Sequence, residues 1–456
     1  MYKKVVIGAC GLAMTLLASA VAAQSLSQSE IDQLGTTLTP IGAERAGNAA
    51  GTIPEWTGGL ATDAGAQLER GFWENPYAAE QAEFVITAQN YQQYRENLTP
   101  GQVAMFERYP ETYRMPVYKT HRSVGYAQSV YDSVKQNAGQ AKLVNGGDGV
   151  DNVAPGSSFI FPIPKSGAEA VWNHLTAYRK NVQRSYVQAM PQTNGSYTLI
   201  RFQEDVARPA YMPDVDQERA ANTLVYFKQR VNAPARLAGN VLLVHDTLDQ
   251  LKEPRMAWVY NSGQRRVRRA PQVAYDGPGT ASDGMRTTDN FNMFSGAPDR
   301  YDWKLVGKKE VYIPYNAGKL SDPNLKYSDI LQAGHINPEH TRFELHRVWE
   351  VEGTVKSGQR HIYAKRNFFV DEDSWTIVLN DHYDGRGTLW RVGEGHLAQN
   401  YSEQLPGYTT ETLYDLMAGR YIALGMYNEE TSAPKFGATP TYNEFTPAAL
   451  RSAGVR

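Results

Sequence analysis

The chain has 456 residues, of which 46 are Lys or Arg and 48 are Asp or Glu, so its net charge is −2. Proteins that bind nucleic acid through its phosphates normally carry a clear basic excess, and this balance argues against that class. The single cysteine, Cys10, excludes a disulfide framework and a thiolate metal site. With 28 tyrosines, 8 tryptophans and 39 glycines, the composition favours an aromatic-rich β protein with many turns.

The first 23 residues have the pattern of a Sec-type signal peptide. Lys3 and Lys4 precede a short apolar run, and small residues follow, with cleavage expected after Ala22 or Ala23. Cleavage there leaves 44 basic and 48 acidic residues and a net charge of −4. Cys10 lies inside the apolar run and does not follow a lipobox, so a lipoprotein is not expected. The sequence therefore predicts a soluble periplasmic protein.

Residues 24–150 are predicted to form an N-terminal extension that contains helices and an irregular arm. The arm is the Gly- and Pro-containing stretch AGNAAGTIPEWTGG, and residues 87–109 have a helical pattern. The loop NGGDGVDNVAPGSS marks the predicted boundary with a second region, residues 151–430. Apolar residues then recur at helical spacing between Ala168 and Tyr178, which predicts one amphipathic helix.

From residue 196 onward the apolar residues recur with a period of two, which is typical of strands. Short turns such as NSGQ, KSGQ, DEDS and DGRG join the runs, so successive strands are predicted to pair as antiparallel hairpins. Residues 409–428 fit either a closing helix or two more strands, and residues 431–456 are expected to form a tail. The predicted strands lie near 196–206, 221–231, 239–249, 255–260, 265–270, 303–313, 341–355, 360–370, 375–383 and 387–393.

The last three well-patterned strands predict a sheet face that mixes aromatic and charged side chains. If KSGQ and DEDS are four-residue connections, Arg366 faces Trp349 and Leu379, with Asp381 on the diagonal. Two interpretations stay open for this face. In the first, Arg366 and Asp381 form a buried pair with a structural role, and the side chain of Arg347 extends to solvent at the rim of the sheet. In the second, this face lines a cavity, and the charged groups interact with a lid or with an amphiphilic ligand. The opposite face, predicted to meet solvent, carries His346, His361 and His382.

The segment YNSGQRRVRRA places four arginines around Val267. Because the run follows a turn, alternation predicts Arg266 and Arg268 on one face of a strand and Arg265, Val267 and Arg269 on the other. In an acidic, exported chain this pattern indicates a strand with charged edges rather than a DNA-binding patch.

Motifs of known enzyme classes are absent from the sequence. There is no G-x-S-x-G elbow, P-loop, H-E-x-x-H or dinucleotide-binding fingerprint. The densest histidine group is His335, His340 and His346, and Pro338 interrupts the loop that carries two of them, which is a poor arrangement for a metal. We therefore predict no catalytic residue, no metal site and no cofactor.

Six segments of the chain are long and distinctive: AGNAAGTIPEWTGG, FPIPKSGAEAVWNHL, AWVYNSGQRRVRRAPQVAYD, FSGAPDRYDWKLVGKKEVYIPYN, HRVWEVEGTVKSGQRHIYAKRNFFVDEDSW and DGRGTLWRV. They resemble those of a Gram-negative envelope family that is catalogued as a domain of unknown function and grouped with the LolA/LolB-like lipoprotein carriers. The resemblance extends from about Ala46 to about Asn428. It implies a mainly β fold with flanking helices: an incomplete, curved antiparallel β-barrel of LolA/LolB type, with a helical lid over a cavity for acyl chains. In such carriers an inward arginine helps to control the lid, a part that Arg347 or Arg366 could take here.

The leading hypothesis from the sequence is a soluble periplasmic carrier or chaperone for a lipid, a lipoprotein acyl chain or another hydrophobic ligand. The candidates for residues that line the cavity are selected by the alternation of side chains along the strands. The alternative interpretation is that the same residues pack in a core without a cavity. The inward charged candidates are Arg347, Arg366 and Asp381. The cavity candidates are Trp258, Tyr260, Leu345, Trp349, Phe368 and Leu379.

Two other hypotheses belong to different classes. The chain could be an adaptor that docks on an inner-membrane RND-type transporter, with outer-membrane components as further partners, and that carries no ligand. The loop RTTDNFNMFSGAPDRYDW would then be the docking surface. An envelope hydrolase is the third hypothesis, and it requires a pocket in which His335, His340 or a carboxylate pair converges with a nucleophile.

Overall fold

The structure is a computed structural model that describes residues 26–271, 273 and 275–454. The predicted signal peptide, residues 1–23, lies outside the described residues. Among the helices that are described, none has the length and apolar character needed to cross a bilayer.

Sixteen of the described strands form one large sheet, and β3 and β4 form a separate hairpin. In chain order the strands are β1 (Phe84–Ile86), β2 (Met115–Val117), β3 (Lys142–Val144), β4 (Gly149–Asp151), β5 (Val182–Ala189), β6 (Ile200–Ala207), β7 (Thr223–Ala233), β8 (Val241–Thr247), β9 (Met256–Asn261), β10 (Arg266–Arg269), β11 (Tyr301–Pro314), β12 (Phe343–Val355), β13 (Lys365–Asp371), β14 (Ile377–Tyr383), β15 (Leu389–Asn400), β16 (Leu405–Asp415), β17 (Arg420–Met426) and β18 (Lys435–Phe436).

The α-helices are short and lie around the sheet. α2 begins at Pro100, where the sequence pattern is interrupted, because Thr99 caps it. Thr99 Oγ1 accepts a hydrogen bond from the backbone N of Gln102 at 3.1 Å, and Gln102 Oε1 accepts one from the backbone N of Thr99 at 3.0 Å. The helices are α1 (Gln28–Ile31), α2 (Pro100–Arg108), α3 (Gln128–Asn137), α4 (Gly167–Leu175), α5 (Gln217–Asn222), α6 (Tyr327–Ile330) and α7 (Ala449–Gly454).

Two antiparallel meanders make up most of the large sheet. Strands β5 to β10 pair in chain order, as do β11 to β17, and β17 pairs antiparallel with β5 to join the two meanders. β10 and β11, at the two ends, are not paired with each other, so the sheet is not closed. The predicted mainly β fold with a large, incomplete antiparallel sheet is confirmed. The ten predicted strands are present, and residues 409–428 form parts of β16 and β17 rather than a helix.

Both faces of the sheet are covered. α4 begins after Ser166, whose Oγ accepts a hydrogen bond from the backbone N of Glu169, and it packs on β11 and β12. Elsewhere Phe106 of α2 packs in one buried cluster with Tyr414 and Tyr421 from β16 and β17. The region 24–150 also adds β1 and β2 to the sheet, and residues 442–454 pack on it through α7.

The pairing of Arg366 with Asp381 predicted from the sequence is wrong. The connection between β12 and β13 comprises residues 356–364 rather than the four residues KSGQ. Arg366 is therefore opposite Gly353 instead of Trp349. On its other side it is opposite His382, and its ion pair is with Asp289 at 2.7 Å.

A β-bulge changes which side chains of β14 share a face with β13. The register shifts between Phe369 and Val370, so that Phe368 is opposite Asn380 and not Leu379. An extra residue reverses the alternation beyond it, which explains why Asp381 lies on the face opposite to Arg366. The predicted solvent-facing histidines are also buried: the side chains of His346, His361 and His382 are at most 1% exposed. Residues 289 and 290 of the loop before β11 cover two of them through hydrogen bonds.

Candidate functional site

The first meander encloses a cavity of about 260 Å³ on its inner face, which we call the meander cavity. Inward side chains of β5 to β8 alternate with outward ones, and residues 278–296 of the loop between β10 and β11 cover them. Its apolar wall includes Leu175, Val182, Val206, Leu224, Phe227, Leu242, Val244, Phe291, Leu397 and Leu405.

Two charge pairs in the cavity wall are satisfied within the protein. Arg184 Nε lies 2.7 Å from Glu204 Oε1 on the neighbouring strand, and Arg255 Nη2 lies 2.8 Å from Asp246 Oδ2. Because each buried charge has a partner of opposite sign, these four residues form part of the wall without requiring a ligand.

A second set of cations in the wall has no such partner. Arg179 and Arg208 flank β5 and β6 and form no ion pair within the described residues. Their guanidinium groups make only long hydrogen bonds of 3.4 Å, to the carbonyl oxygens of His174 and Lys180 respectively. Burial lowers the pKa of Arg208 to about 9, and the charge of Arg179 lowers it further in the same direction. Positive charge is therefore concentrated at this end of the cavity.

Glu411 and Arg286 also line the meander cavity. Burial raises the pKa of the Glu411 carboxyl to about 7, although the backbone N of Met293 donates to it at 2.7 Å. Burial lowers the pKa of Arg286, whose guanidinium lies 5.5 Å from the ring of Phe291. The cavity thus combines an apolar wall with arginines and one carboxyl group that titrates near neutral pH.

A second cavity of about 320 Å³ lies beside the first, and it is more polar. Trp73, Tyr77 and Tyr401 are among its lining residues. The two cavities share lining residues, including Tyr408 and Phe436, so they adjoin each other.

The loop expected to dock on a transporter does not form an exposed surface. Within residues 286–303 only Asp302 is exposed, and Phe291 and Phe294 line the meander cavity. The prediction of an exposed docking loop is wrong, because apolar and charged side chains of this loop find their partners inside the fold.

The six cavity candidates from the sequence lie outside the meander cavity. Trp258 and Tyr260 point to the outer face of β9, since their alternation partners Ala257 and Val259 face inward, and both pack in the cluster that includes Leu450 of α7.

The other four candidates pack in the second meander. Phe368 stacks on Trp303 with a centroid distance of 5.4 Å, and Trp349 stacks on Trp375 at 6.2 Å. Leu345 is opposite Tyr312 on β11 and Leu379 is opposite Phe369 on β13; both leucines are buried.

The three inward charged candidates lie apart from one another. Arg347 binds Glu372 at 2.9 Å and donates to the carbonyl oxygen of Ala46 at 2.7 Å, so it holds the N-terminal arm. Arg366 is fully buried and binds Asp289. Asp381 accepts a hydrogen bond from the backbone N of Gly101 at 3.0 Å, and burial raises its pKa to about 7.

The sequence signal for the meander cavity lies in β5 to β8. The sequence did not predict β5, and its inward side includes the charged residue Arg184, as that of β6 includes Glu204. The usable signal was the apolar partners on that same face, Val182 and Val206, together with Arg179 and Arg208 at the strand ends.

Known proteins that are similar to this chain identify the family to which it belongs. A family model described as "Protein of unknown function (DUF1329)" matches residues 85–451. The uncharacterized protein PA3922 of Pseudomonas aeruginosa is 60% identical over 446 residues, which cover 98% of this chain and 97% of that protein. A solved DUF1329 family protein from Desulfovibrio piger is similar at 15% identity and a TM-score of 0.43, over 62% of this chain and 95% of its own. LolA superfamily protein NE2245 from Nitrosomonas europaea is similar at 12% identity and a TM-score of 0.37, over 62% of this chain and 98% of its own. The resemblance seen in the sequence is therefore confirmed at the level of the family, and this chain belongs to the DUF1329 family.

Proposed function

We propose that this chain is a periplasmic carrier that shelters one apolar chain of an anionic amphiphile in the meander cavity. The observation that supports this most directly is the placement of Arg179 and Arg208 in an apolar wall, without a carboxylate partner in the described part of the chain. Both arginines are half-buried, and a carboxylate or phosphate on the ligand would provide charge-assisted hydrogen bonds to their guanidinium groups.

The two parts of the cavity would contribute differently to binding. Each buried methylene contributes about 0.8 kcal/mol, so eight methylenes contribute about 6 kcal/mol before the costs of association. The cavity volume of about 260 Å³ suits one chain rather than a whole diacyl lipid. The apolar wall would therefore supply most of the affinity, and the arginines would fix the position of the head group.

The head-group part is tested with cis-parinaric acid, a fluorescent fatty acid, and its neutral methyl ester. The double variant Arg179→Gln and Arg208→Gln should weaken binding of the acid by about 10-fold or more, because charge-assisted hydrogen bonds are lost, and leave the ester within about 2-fold. Arg219→Gln is the matched control, since Arg219 is exposed and lies over the ring of Tyr442. No binding of either probe by the unaltered protein, or an equal loss for both probes, would refute the proposal.

The apolar part is tested by filling the cavity. Val206→Trp places an indole among the lining residues and should abolish binding of both the acid and the ester. Val306→Trp, at a position that is 44% exposed, should leave both affinities unchanged. Equal binding by the two variants would contradict the location of the ligand.

The periplasmic location rests on the predicted signal peptide. Cell fractionation of the full chain and of a chain that lacks residues 1–23 tests it, with export expected for the first only. Recovery of the full chain in the cytoplasm would contradict this part of the proposal.

A further inference from the structure

A group of buried donor atoms lies at the turn between β13 and β14, and it shares no residue with the lining of the meander cavity. His346 on β12, Asp371 at the end of β13 and Asp373 in the turn each offer one donor atom, and these atoms all lie within 4.8 Å of one another. All three residues are buried. We call them the turn cluster.

Neighbouring charged groups orient two members of the turn cluster. Arg122 donates to both carboxylate oxygens of Asp373, from Nε at 2.8 Å and from Nη2 at 2.6 Å. Nε2 of His346 lies 3.2 Å from Glu344 Oε2. A proton on Nε2 would leave Nδ1 with a free lone pair, and a carboxylate behind a ligating histidine is a common feature of metal sites.

Two buried oxygen atoms beside the cluster have no hydrogen-bond partner among the described residues. Ser374 Oγ donates to Asp371 Oδ2 at 2.5 Å, whereas Asp371 Oδ1 has no partner. The hydroxyl of Tyr315 has none either, and its ring centroid lies 3.9 Å from that of His346.

The other buried carboxylates around the turn are paired with cations. Glu372 binds Arg347 at 2.9 Å, and Glu344 binds Arg342 at 2.6 Å. Asp371 forms no ion pair within the part of the chain that the structure describes, although it is fully buried next to other carboxylates. An isolated buried carboxylate is costly, so this group requires a proton or a cation.

We propose that the turn cluster is a binding site for a divalent metal ion, with zinc as the best match. One imidazole nitrogen and two carboxylate oxygens are donors that Zn²⁺ takes, whereas Ca²⁺ and Mg²⁺ prefer oxygen donors alone. The Tyr315 hydroxyl or a water is available for the fourth position.

The site would be structural, because its donors are buried and Arg122 links them to the N-terminal arm. Arg122 Nη2 donates to the carbonyl oxygen of Glu44 at 2.7 Å, and Nη1 donates to that of Arg45 at 3.1 Å. A bound ion would fix Asp373 and, through Arg122, the chain at Glu44 and Arg45 and the arm at Pro54, whose carbonyl oxygen accepts from Arg122 Nη1 at 3.4 Å. This inference does not depend on the proposed carrier function.

The test is a metal-binding measurement on the full chain after dialysis against a chelator. Metal content after incubation with ZnCl₂ and desalting should be one zinc per chain, with no comparable retention of Ca²⁺ or Mg²⁺. Denaturant unfolding should show stabilisation by zinc, amounting to about 100-fold in the unfolding equilibrium constant at a free zinc concentration of about 100 times Kd. A chain that retains no zinc overturns the proposal, whatever the variants do.

Variants locate the ion. His346→Gln and Asp371→Asn should each lose the bound zinc and the stabilisation by zinc, with folding confirmed by circular dichroism. The matched controls are His340→Gln, which removes a histidine outside the cluster, and Asp63→Asn, which removes an exposed carboxylate. Both controls should keep one zinc. Retention of zinc by the folded Asp371→Asn variant, or its loss in His340→Gln, would overturn the assignment. If neither cluster variant folds, Co²⁺ bound to the unaltered chain should show a nitrogen ligand by X-ray absorption, and a purely oxygen environment would overturn it.

Discussion

Replacement of Arg366 by methionine should destabilise the protein strongly. Arg366 is fully buried; its Nη2 lies 2.7 Å from Asp289 Oδ2, and its Nε donates to the hydroxyl of Tyr301 at 2.9 Å. Methionine keeps most of the volume but leaves the Asp289 carboxylate without its cation. Loss of one partner of a buried ion pair costs about 3–5 kcal/mol. Because the hydroxyl of Thr287 still donates to Asp289 at 2.6 Å, we expect the lower end of that range.

Urea unfolding at pH 7, followed by tryptophan fluorescence, measures this loss. Arg366→Met, Asp289→Asn and the double variant form a double-mutant cycle, and the double variant should be more stable than Arg366→Met alone because no buried charge remains. Burial alone would raise the pKa of Asp289, but the charge of Arg366 more than offsets this effect and keeps that pKa well below its usual value. The ion pair therefore contributes its full stabilisation above the unfolded carboxyl pKa of about 3.9, and this stabilisation is lost as the pH falls below that value. The unfolding free energies of the unaltered protein and of Arg366→Met should therefore converge in acid. A loss below about 1 kcal/mol, or a double variant as unstable as the sum of the singles, would refute the reasoning.

Three further predictions concern other parts of the fold. Gly101→Ala should lower the free energy of unfolding in urea by about 1–3 kcal/mol, since a Cβ at this position would lie 2.0 Å from a carboxylate oxygen of β14. The control Gly385→Ala should be nearly neutral, because no atom lies within 4 Å of its Cβ. Equal effects of the two substitutions would contradict the packing of α2 on β14. Glu411→Gln should leave the free energy of unfolding unchanged near pH 4 and raise it by up to about 3 kcal/mol at pH 8. The pKa of Glu411 in the folded protein, about 7, exceeds the ordinary value of 4.5, so ionisation of this carboxyl destabilises the folded state as the pH rises. A gain in stability at pH 4 would contradict this assignment. Removal of residues 441–454 should uncover Trp258, lower the Tm and increase binding of an apolar dye, whereas an unchanged Tm would show that α7 contributes nothing.

The meander could be predicted from the sequence because alternation and turn residues are local signals. The predicted division of the arginine run is confirmed for residues 266–269, whereas Arg265 lies in the turn before β10 with a φ of +53°. Val267 packs under α7 and Arg269 lies 5.9 Å from the ring of Trp258 on the outer face, whereas Arg268 is opposite Val259 on the inner face. Each of these facts follows from a period of two within one short strand.

Register and partners could not be predicted, because they depend on features that alternation does not contain. The nine residues 356–364 replaced an expected four-residue turn, and the bulge at Phe369 reversed the alternation of β14. The partner of Arg366 comes from residue 289, in a loop about 75 positions earlier in the chain, and no pattern around either residue indicates the other.

The meander cavity was missed for a related reason. Its inward charges, Arg184 and Glu204, neutralise each other across two strands, so each looks solvent-facing when its own strand is considered alone. Alternation identifies two faces of a strand, but a covering loop decides which of them is buried. Here that loop is 278–296, whose own sequence has no regular period.

The pairing of β17 with β5 has a consequence for how the chain is made. Ala423 lies opposite Ala189, so the strand that completes the edge of the first meander emerges about half a chain length after that edge itself. Until then β5 presents a row of free backbone donors and acceptors, which is a template for association with other chains. Non-local pairing of this kind also slows folding. We therefore expect a newly made chain to need protection against aggregation until its last long strands have been added.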